Sequence, residues 1–216
     1  MSFNRLARHY SWVEWLLAGR KLQSCRTAFT QEIREAGSVL LAGEGHGRFL
    51  LHLCQQNPRA AICCVDSSSA MIRVAQRRLD RHGVGERPIE FHAIPILEFE
   101  PTCTFDTVVT HFFLDCFTNE TLDAIVSRLA AALQPRGKWI IADFQIPEDC
   151  RWRRCRARIV LALAYSFFRV AVRLPANRLA DPRPSFIRHG LVRREKREFN
   201  FGLLYSELWE KSARGW

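Results

Sequence analysis

Short apolar runs alternate with helix-like segments along the first two thirds of the chain. The runs end at glycine, proline or aspartate, and the segments between them place apolar residues at the spacing of an amphipathic helix. The predicted strands are 38–42, 60–65, 89–92, 105–110 and 138–143, and the clearest predicted helices are 49–56, 70–81 and 120–133. Strands separated by helices predict a parallel sheet that is covered on both faces.

The two ends of the chain depart from this pattern. Residues 3–30 carry apolar and aromatic side chains at helical spacing, so we predict a helical lead over residues 1–36. Residues 150–174 predict one long basic and aromatic helix, followed by a loop that contains prolines. Only three residues separate two strand-like runs, 191–199 and 203–210, which predict an antiparallel hairpin at one edge of the sheet.

These elements together predict an α/β fold with a doubly wound, mostly parallel sheet of seven strands and a C-terminal antiparallel hairpin. The length of 216 residues fits one domain, and 48% hydrophobic residues are enough for a buried core. We divide the domain into the lead (1–36), a central core (37–149), a basic helix and loop (150–190) and the closing hairpin (191–216).

The sequence favours a cytoplasmic protein. No apolar leader follows Met1, and the longest uncharged run, 159–168, has ten residues, short of the ~18 that a bilayer span needs. The eight cysteines are scattered and form no C-x-x-C pair, which predicts reduced thiols rather than a disulfide framework.

The positive charge is concentrated in the last third of the chain. Residues 1–150 hold 16 basic and 17 acidic side chains, whereas residues 151–216 hold 16 basic and 5 acidic ones, a net charge of +11. Three partners would suit such a region: a phosphate-bearing substrate, an anionic membrane surface or nucleic acid. The alternative is a solvated face in an arginine-rich protein, since arginine outnumbers lysine 28 to 4.

A glycine turn is the first candidate for a binding site. Gly43, Gly45 and Gly47 follow a predicted strand and open a predicted helix, the context in which backbone N–H groups approach a ligand closely. This favours a nucleoside-like ligand. A dinucleotide fingerprint requires glycine where Arg48 stands, so NAD is disfavoured.

Asp66 ends the second predicted strand, 23 residues after Gly43. A carboxylate at that place accepts both ribose hydroxyls of a nucleoside that is held over the first turn. The alternative is a helix N-cap, because Ser67, Ser68 and Ser69 follow it and a helix begins there.

Four segments together resemble the class I S-adenosylmethionine-dependent methyltransferases, which have a Rossmann-like fold. They are Val39-Leu-Leu-Ala-Gly-Glu-Gly-His-Gly47, Val65-Asp-Ser-Ser-Ser-Ala-Met-Ile72, Phe105-Asp-Thr-Val-Val-Thr110 and Leu133-Gln-Pro-Arg-Gly-Lys-Trp-Ile-Ile-Ala-Asp143. The opening segment, residues 3–10, is similar to the lead of quinone and phosphatidylethanolamine methyltransferases. The resemblance makes residues 37–149 the cofactor-binding core and residues 150–190 an acceptor-side lobe.

The resemblance implies S-adenosylmethionine as cofactor, S-adenosylhomocysteine as product, and a role for each matching residue. Ala42, Gly43 and Gly45 would face the methionine part, and Asp66 would hold the ribose. The remaining implied residues are Ser67 and Met71 beside the adenine, Thr110, His111 and Phe112 beside the sulfonium and the substrate, and Tyr10 closing over the pocket.

Two positions depart from the family pattern. Leu41 stands where the family's first strand usually carries an acid, and Pro95 stands near the place of a second expected acid. We expect weaker cofactor binding as a result. Glu44, inside the glycine turn, is our candidate to compensate for the first loss.

Methyl transfer from a sulfonium is an in-line displacement, so the protein mainly positions the acceptor and excludes water. If the acceptor must lose a proton, His111 and Asp115 are the candidate bases, with Tyr10 as a third catalytic candidate. His111 is as consistent with a structural histidine, and Asp115 with an ion pair to an arginine. No spacing of His, Cys and Asp predicts a metal site.

We therefore predict a methyltransferase that acts on a small-molecule or lipid-like acceptor. The basic helix would provide contact with an anionic membrane surface, although a helix with one face on the sheet and arginines in water explains the same pattern. Nucleic acid is less favoured because no RNA-binding module is present. The alternatives are an RNA or protein methyltransferase and a catalytically degenerate interaction module.

Overall fold

One sheet of seven strands organises the protein. The structure, a computed structural model, describes residues 20–85, 87–172 and 179–213, without the side chains of residues 163–172. The strands are β1 (Ser38–Ala42), β2 (Ala61–Val65), β3 (Ile89–His92), β4 (Phe105–His111), β5 (Leu133–Phe144), β6 (Leu191–Phe199) and β7 (Leu204–Lys211). Their order is β3-β2-β1-β4-β5-β7-β6, with β1 to β5 parallel and β7 antiparallel to both of its neighbours.

The helices connect these strands and cover the sheet. They are α1 (Arg20–Arg26), α2 (Thr30–Arg34), α3 (Arg48–Gln56), α4 (Ser69–Arg81), α5 (Asn119–Ala132), α6 (Arg151–Val172) and α7 (Arg183–Arg188), with a short 3-10 helix at Leu114–Cys116. The predicted fold class is confirmed, with the predicted core helices displaced by a residue at most. None of the helices in the described part of the chain combines the length and apolar character needed to cross a bilayer.

Alternation along the central strands divides the core between the two faces of the sheet. Leu40 of β1 and Val108 of β4 belong to the cluster that packs under α5, whereas Leu41 and Val109 belong to the cluster under α3 and α4. All four side chains are buried. Strands buried on both faces require continuous apolar runs, which is why β1 and β4 are clear in the sequence.

In the closing hairpin, the second strand, β7, lies between β5 and the first strand, β6. β7 pairs with β5, for example Trp139 opposite Trp209, and β6 lies outside it at the edge. The turn that joins them places Asn200, Phe201 and Gly202 at φ values of 51°, 57° and 80°. The hairpin predicted from the three-residue gap is thus confirmed.

The start of β5 and the course of the lead differ from the sequence prediction by more than a residue. β5 begins at Leu133 rather than at residue 138, because Leu133 pairs with Phe105 before an irregularity restores the regular register at Thr107 and Lys138. In the described part of the predicted lead, residues 20–36, two short helices, α1 and α2, are separated by a turn at residues 27–29. The predicted loop after the long helix also contains α7. Tyr10 lies outside the described residues.

Candidate active site

The glycine turn between β1 and α3 approaches two other parts of the protein closely. Gly43 has a φ of 71°, and its N–H donates to the carbonyl of Val65 at 2.9 Å. A Cβ atom on Gly43 would lie 2.0 Å from a ring carbon of Phe113, so only glycine fits there. By contrast, a Cβ on Gly45 would meet no atom of the described residues within 4 Å. Within the described part of the chain, Gly45 therefore borders open space.

Asp66 binds the glycine turn directly. Its Oδ2 accepts from the N–H of Gly45 at 2.9 Å, and its Oδ1 accepts from the N–H of Ser68 at 2.8 Å. Burial raises the pKa of this carboxyl, and the two backbone hydrogen bonds partly oppose the rise. The N-cap of α4 is Ser68, whose hydroxyl accepts from the N–H of Met71, so Asp66 is not the capping residue.

Glu44 caps α3. Its Oε1 accepts from the N–H groups of Phe49 and Leu50 at 2.9 and 3.0 Å, at the helix end where a negative charge is favoured. Burial nevertheless raises the pKa of this carboxyl to about 7. Leu41, where the family pattern has an acid, is fully buried in the apolar cluster with Phe49 and Leu50. Any compensation by Glu44 would thus act through α3 rather than through β1.

His111 ends β4 as a buried imidazole. Only 6% of the residue is exposed, and neither ring nitrogen has a hydrogen-bond partner among the described residues. The ring of Phe49 contacts it edge-on, with 4.4 Å between centroids. Burial, with the nearby charges of Arg26 and His52, holds the pKa of His111 well below its usual range. The ring is therefore neutral, and one of its nitrogens can accept a hydrogen bond.

Asp115, which follows β4, and Asp143, the penultimate residue of β5, form a buried carboxyl pair. The Asp115 N–H donates to Oδ2 of Asp143 at 3.2 Å, and Oδ1 of Asp143 accepts from the Phe144 N–H at 2.8 Å. Burial and the neighbouring Asp115 raise the pKa of Asp143 well above its ordinary value. The thiol of Cys116 lies 3.5 Å from Oδ1 of Asp115. Two acids this close and this buried favour one shared proton at neutral pH.

The other predicted cofactor residues fall into two groups. Ala42, Met71 and Thr110 are buried, and the hydroxyl of Thr110 accepts from the indole N–H of Trp139 at 2.9 Å. The side chain of Thr110 therefore belongs to the core and does not face a ligand. Ser67 is exposed.

Phe112 lies directly after β4 in an unusual conformation. Its φ of 52° is strained for a bulky residue, and its N–H donates to the carbonyl of Ala142 at 2.7 Å. The guanidinium of Arg26 lies 4.9 Å from its ring centroid. The strain directs the chain away from β4 toward Phe113, whose ring fills the space beside Gly43.

Two residues of this region do not follow from the sequence analysis as site residues. Asp143 has a signal that could have found it, since it is an acid at the end of an apolar strand, as Asp66 is. Arg26, which is 7% exposed and influences both His111 and Glu44, has none, because it is one of 28 arginines.

A family model matches the central part of the chain. Residues 40–139, which include the glycine turn and Asp66, match a family described as "Methyltransferase domain". The match covers somewhat less than half of the chain. The strand order, with the hairpin order β5-β7-β6, is that of the Rossmann-like methyltransferase fold. No curated protein matches the sequence.

Solved structures of low sequence identity share this fold. An O-methyltransferase family protein from Burkholderia thailandensis has a TM-score of 0.71 at 18% identity, covering 96% of this chain and 60% of its own. An O-methyltransferase family 2 protein from Planctomyces limnophilus, in complex with apigenin, gives 0.71 at 16%, covering 95% and 61%. Magnesium protoporphyrin IX methyltransferase from Synechocystis, with bound S-adenosylhomocysteine, gives 0.71 at 16%, covering 97% of both chains. The chain thus spans about three fifths of the first two proteins.

Proposed function

We propose that the protein transfers a methyl group from S-adenosylmethionine to a small-molecule or lipid-like acceptor. The observation that carries the proposal is the pairing of Asp66 with Gly45, which places a half-buried carboxylate beside a backbone with no described residue over it. The domain match and the product-bound Synechocystis structure support the same cofactor. The resemblance of residues 3–10 to quinone and phosphatidylethanolamine methyltransferases supports a lipid-like acceptor.

The residues present fit this cofactor. Each oxygen of Asp66 accepts one hydrogen bond from the backbone, so each keeps acceptor capacity for a ribose hydroxyl. Burial makes that capacity strong, because a charge-assisted hydrogen bond gains strength away from water. The open face at Gly45 admits a ligand without a steric conflict.

The chemistry that remains for the protein is proton removal and positioning. The cofactor supplies an activated methyl group when it is bound. A hydroxyl or ammonium acceptor loses one proton when its O–CH₃ or N–CH₃ bond forms. Neutral His111 has an unpartnered nitrogen that can take this proton, and the Asp115–Asp143 pair is the second candidate.

Calorimetric binding of S-adenosylmethionine and S-adenosylhomocysteine tests the proposal, with NADH as the control ligand. Micromolar binding of the first two, without binding of NADH, is the expected result. If neither binds to the folded protein, the degenerate interaction module becomes the better explanation, with Leu41 and Pro95 as the positions that mark the loss.

We further propose that an exposed patch on α6 meets an anionic membrane surface where a lipid-like acceptor would be found. Trp152 and Ile159 lie seven residues apart, on one stripe of the helix, and are 61% and 57% exposed. Phe201, at the hairpin tip, is 57% exposed and lies 6.0 Å from Trp152 between ring centroids. Arg151 and Arg158 are exposed beside them. We call these five residues the α6 patch.

Charge pairing favours a lipid surface over nucleic acid. The basic residues of β6 are matched by acids, with ion pairs that join Arg193 to Glu207 and Arg194 to Glu210 at 2.9 and 3.0 Å. The hairpin therefore presents no continuous positive stripe. Exposed aromatic rings among arginines instead suit the interface of an anionic bilayer.

Cosedimentation with vesicles tests the patch. The wild type should bind phosphatidylglycerol-containing vesicles and leave pure phosphatidylcholine vesicles unbound, and Trp152→Ala combined with Phe201→Ser should abolish binding. Ile187→Ser, which changes an exposed isoleucine of α7, is the matched control and should bind normally. Normal vesicle binding by the double variant, or salt-sensitive RNA binding in place of vesicle binding, would overturn this part of the proposal.

A further inference from the structure

Three potential metal ligands lie together on the outer strands of the sheet. Cys63 belongs to β2, and Glu90 and His92 belong to β3. Their ligand atoms all lie within 4.8 Å of one another, and Nε2 of His92 is 2.6 Å from Oε1 of Glu90. We call these three residues the β2–β3 cluster.

The pairing of two strands creates this cluster. Cys63 is directly opposite Glu90 in the parallel register, and His92 lies two residues further on. Residues two apart on a strand share a face, so all three side chains leave the sheet on the same side. Cys63 and Glu90 are separated by 26 residues in the sequence, which is why no sequence motif predicts a metal site here.

The exposed fraction of the three side chains rises from Cys63 in the core to Glu90 at the surface. Cys63 is only 3% exposed, while the side chains of His92 and Glu90 are 30% and 63% exposed. The ring of Phe99 lies 5.0 Å from that of His92 and covers one side of it. An ion can thus enter from the side of Glu90 and reach a sulfur that is shielded from water.

We propose that Cys63, Glu90 and His92 bind a divalent transition metal ion, with zinc(II) as the best fit. One thiolate, one imidazole and one carboxylate are all ligands that zinc accepts, whereas magnesium and calcium prefer oxygen ligands alone. On binding, Cys63 loses its proton to solvent and its sulfur donates an electron pair to the ion. Zinc bonds of roughly 2.0 to 2.3 Å need only small side-chain rotations from the present separations.

Water would complete the tetrahedron around an ion that these three residues hold. Cys103, an exposed thiol in the segment before β4, serves as a control for a sulfur ligand outside the cluster.

The site also touches the region of the glycine turn. The carbonyl of His92 accepts from the N–H of Asp66 at 3.0 Å. An ion held by His92 would therefore stiffen the strand end that carries Asp66. Metal binding is nevertheless independent of the proposed methyl transfer, because it is measured without cofactor or acceptor.

Cobalt(II) spectroscopy tests the proposal directly. Purified full-length protein, freed of any histidine tag, stripped with a chelator and kept reduced, is titrated with cobalt(II). We expect one ion per chain and a thiolate-to-cobalt charge-transfer band, which zinc(II) then displaces. The Cys103→Ser variant should keep the band, which separates the metal site from a Cys63–Cys103 disulfide.

Variants of the three proposed ligands, compared with variants of a cysteine and a histidine outside the cluster, test which residues bind the ion. Cys63→Ser should remove the charge-transfer band, and His92→Ala and Glu90→Gln should each weaken zinc binding by at least about 10- to 100-fold, the cost of losing even an outer partner of a ligand. Cys54→Ser and His82→Ala should bind as the wild type does. If Cys63→Ser fails to fold, the two partly exposed β3 variants decide. Unchanged zinc affinity in both, or no cobalt band in the wild type, would overturn the proposal.

Discussion

The carboxylate of Asp66 accepts a hydrogen bond from the backbone N–H of Gly45 at 2.9 Å. This contact joins the end of β2 to the turn after β1. It fixes Gly45, the glycine of the turn whose Cβ position has no neighbour among the residues that the structure describes. The same carboxylate thus stabilises the turn and is the candidate ligand of the ribose.

Replacing Asp66 with asparagine should weaken S-adenosylmethionine binding by about 10- to 100-fold, because a hydrogen bond to a charged group contributes about 1.5–3 kcal/mol. Calorimetry measures the change. Ser68→Ala is the control: it removes the α4 cap and should cost about 1 kcal/mol of stability with little change in affinity. If Asp66→Asn loses stability but binds the cofactor with unchanged affinity, Asp66 only stabilises the glycine turn and does not bind the ribose.

Glu44 should make the wild type less stable as the pH rises. Its folded pKa of about 7 lies above the unfolded value of about 4.3, so the folded state binds more protons between those values. Its contribution is complete below the unfolded pKa and is lost as the pH rises through the folded one. The variant Glu44→Gln lacks this titration.

Urea unfolding of the wild type and of Glu44→Gln at pH 5, 6, 7 and 8 measures the effect. The variant should gain relative stability with rising pH, by up to about 3 kcal/mol between the two ends of the series. Subtracting the two curves removes the contributions of Asp66 and Asp143, whose pKa values are also raised. Parallel curves would show that the carboxyl titrates normally.

Replacing His111 with leucine should preserve or raise stability, by about 1 kcal/mol, because two desolvated nitrogens without partners are removed from the interior. Methyl transfer to a screened acceptor should fall by about 100-fold or more if His111 is the base. Thermal melting and product formation measure the two effects. A large loss of stability with normal turnover would instead make His111 a structural residue.

Replacing Thr110 with valine should destabilise the protein by about 1–3 kcal/mol, because the indole N–H of buried Trp139 loses its acceptor. Affinity for S-adenosylmethionine should stay within about twofold of the wild type, since the side chain lies in the core. Denaturant unfolding and calorimetry on the same sample check both statements. A selective loss of affinity would restore Thr110 as a cofactor ligand.

Local signals made the fold and the glycine turn predictable. The turn lies between a five-residue apolar strand and an amphipathic helix, and both signals are contained in about twenty consecutive residues. The closing hairpin follows from a three-residue gap in the same way. By contrast, the early start of β5 depends on the pairing of Leu133 with Phe105, which no local pattern shows.

Contacts between distant strands could not be predicted. Asp115 and Asp143 meet because β4 and β5 are neighbours, and the β2–β3 cluster depends on one particular register. The burial of Arg26 depends on how α1 packs near Phe112 and His111. In each case the chemistry arises from tertiary pairing between residues that are polar, scattered and unremarkable in the sequence.

The position of β7 also constrains how the protein can be made. Strand β5 gains its second neighbour only after β7, the last strand of the described chain, has been synthesised. Until then, the backbone N–H and C=O groups beside Trp139 and Ile141 form an open, apolar edge of the kind that pairs with other chains. A nascent chain released before residue 204 would thus be prone to aggregate.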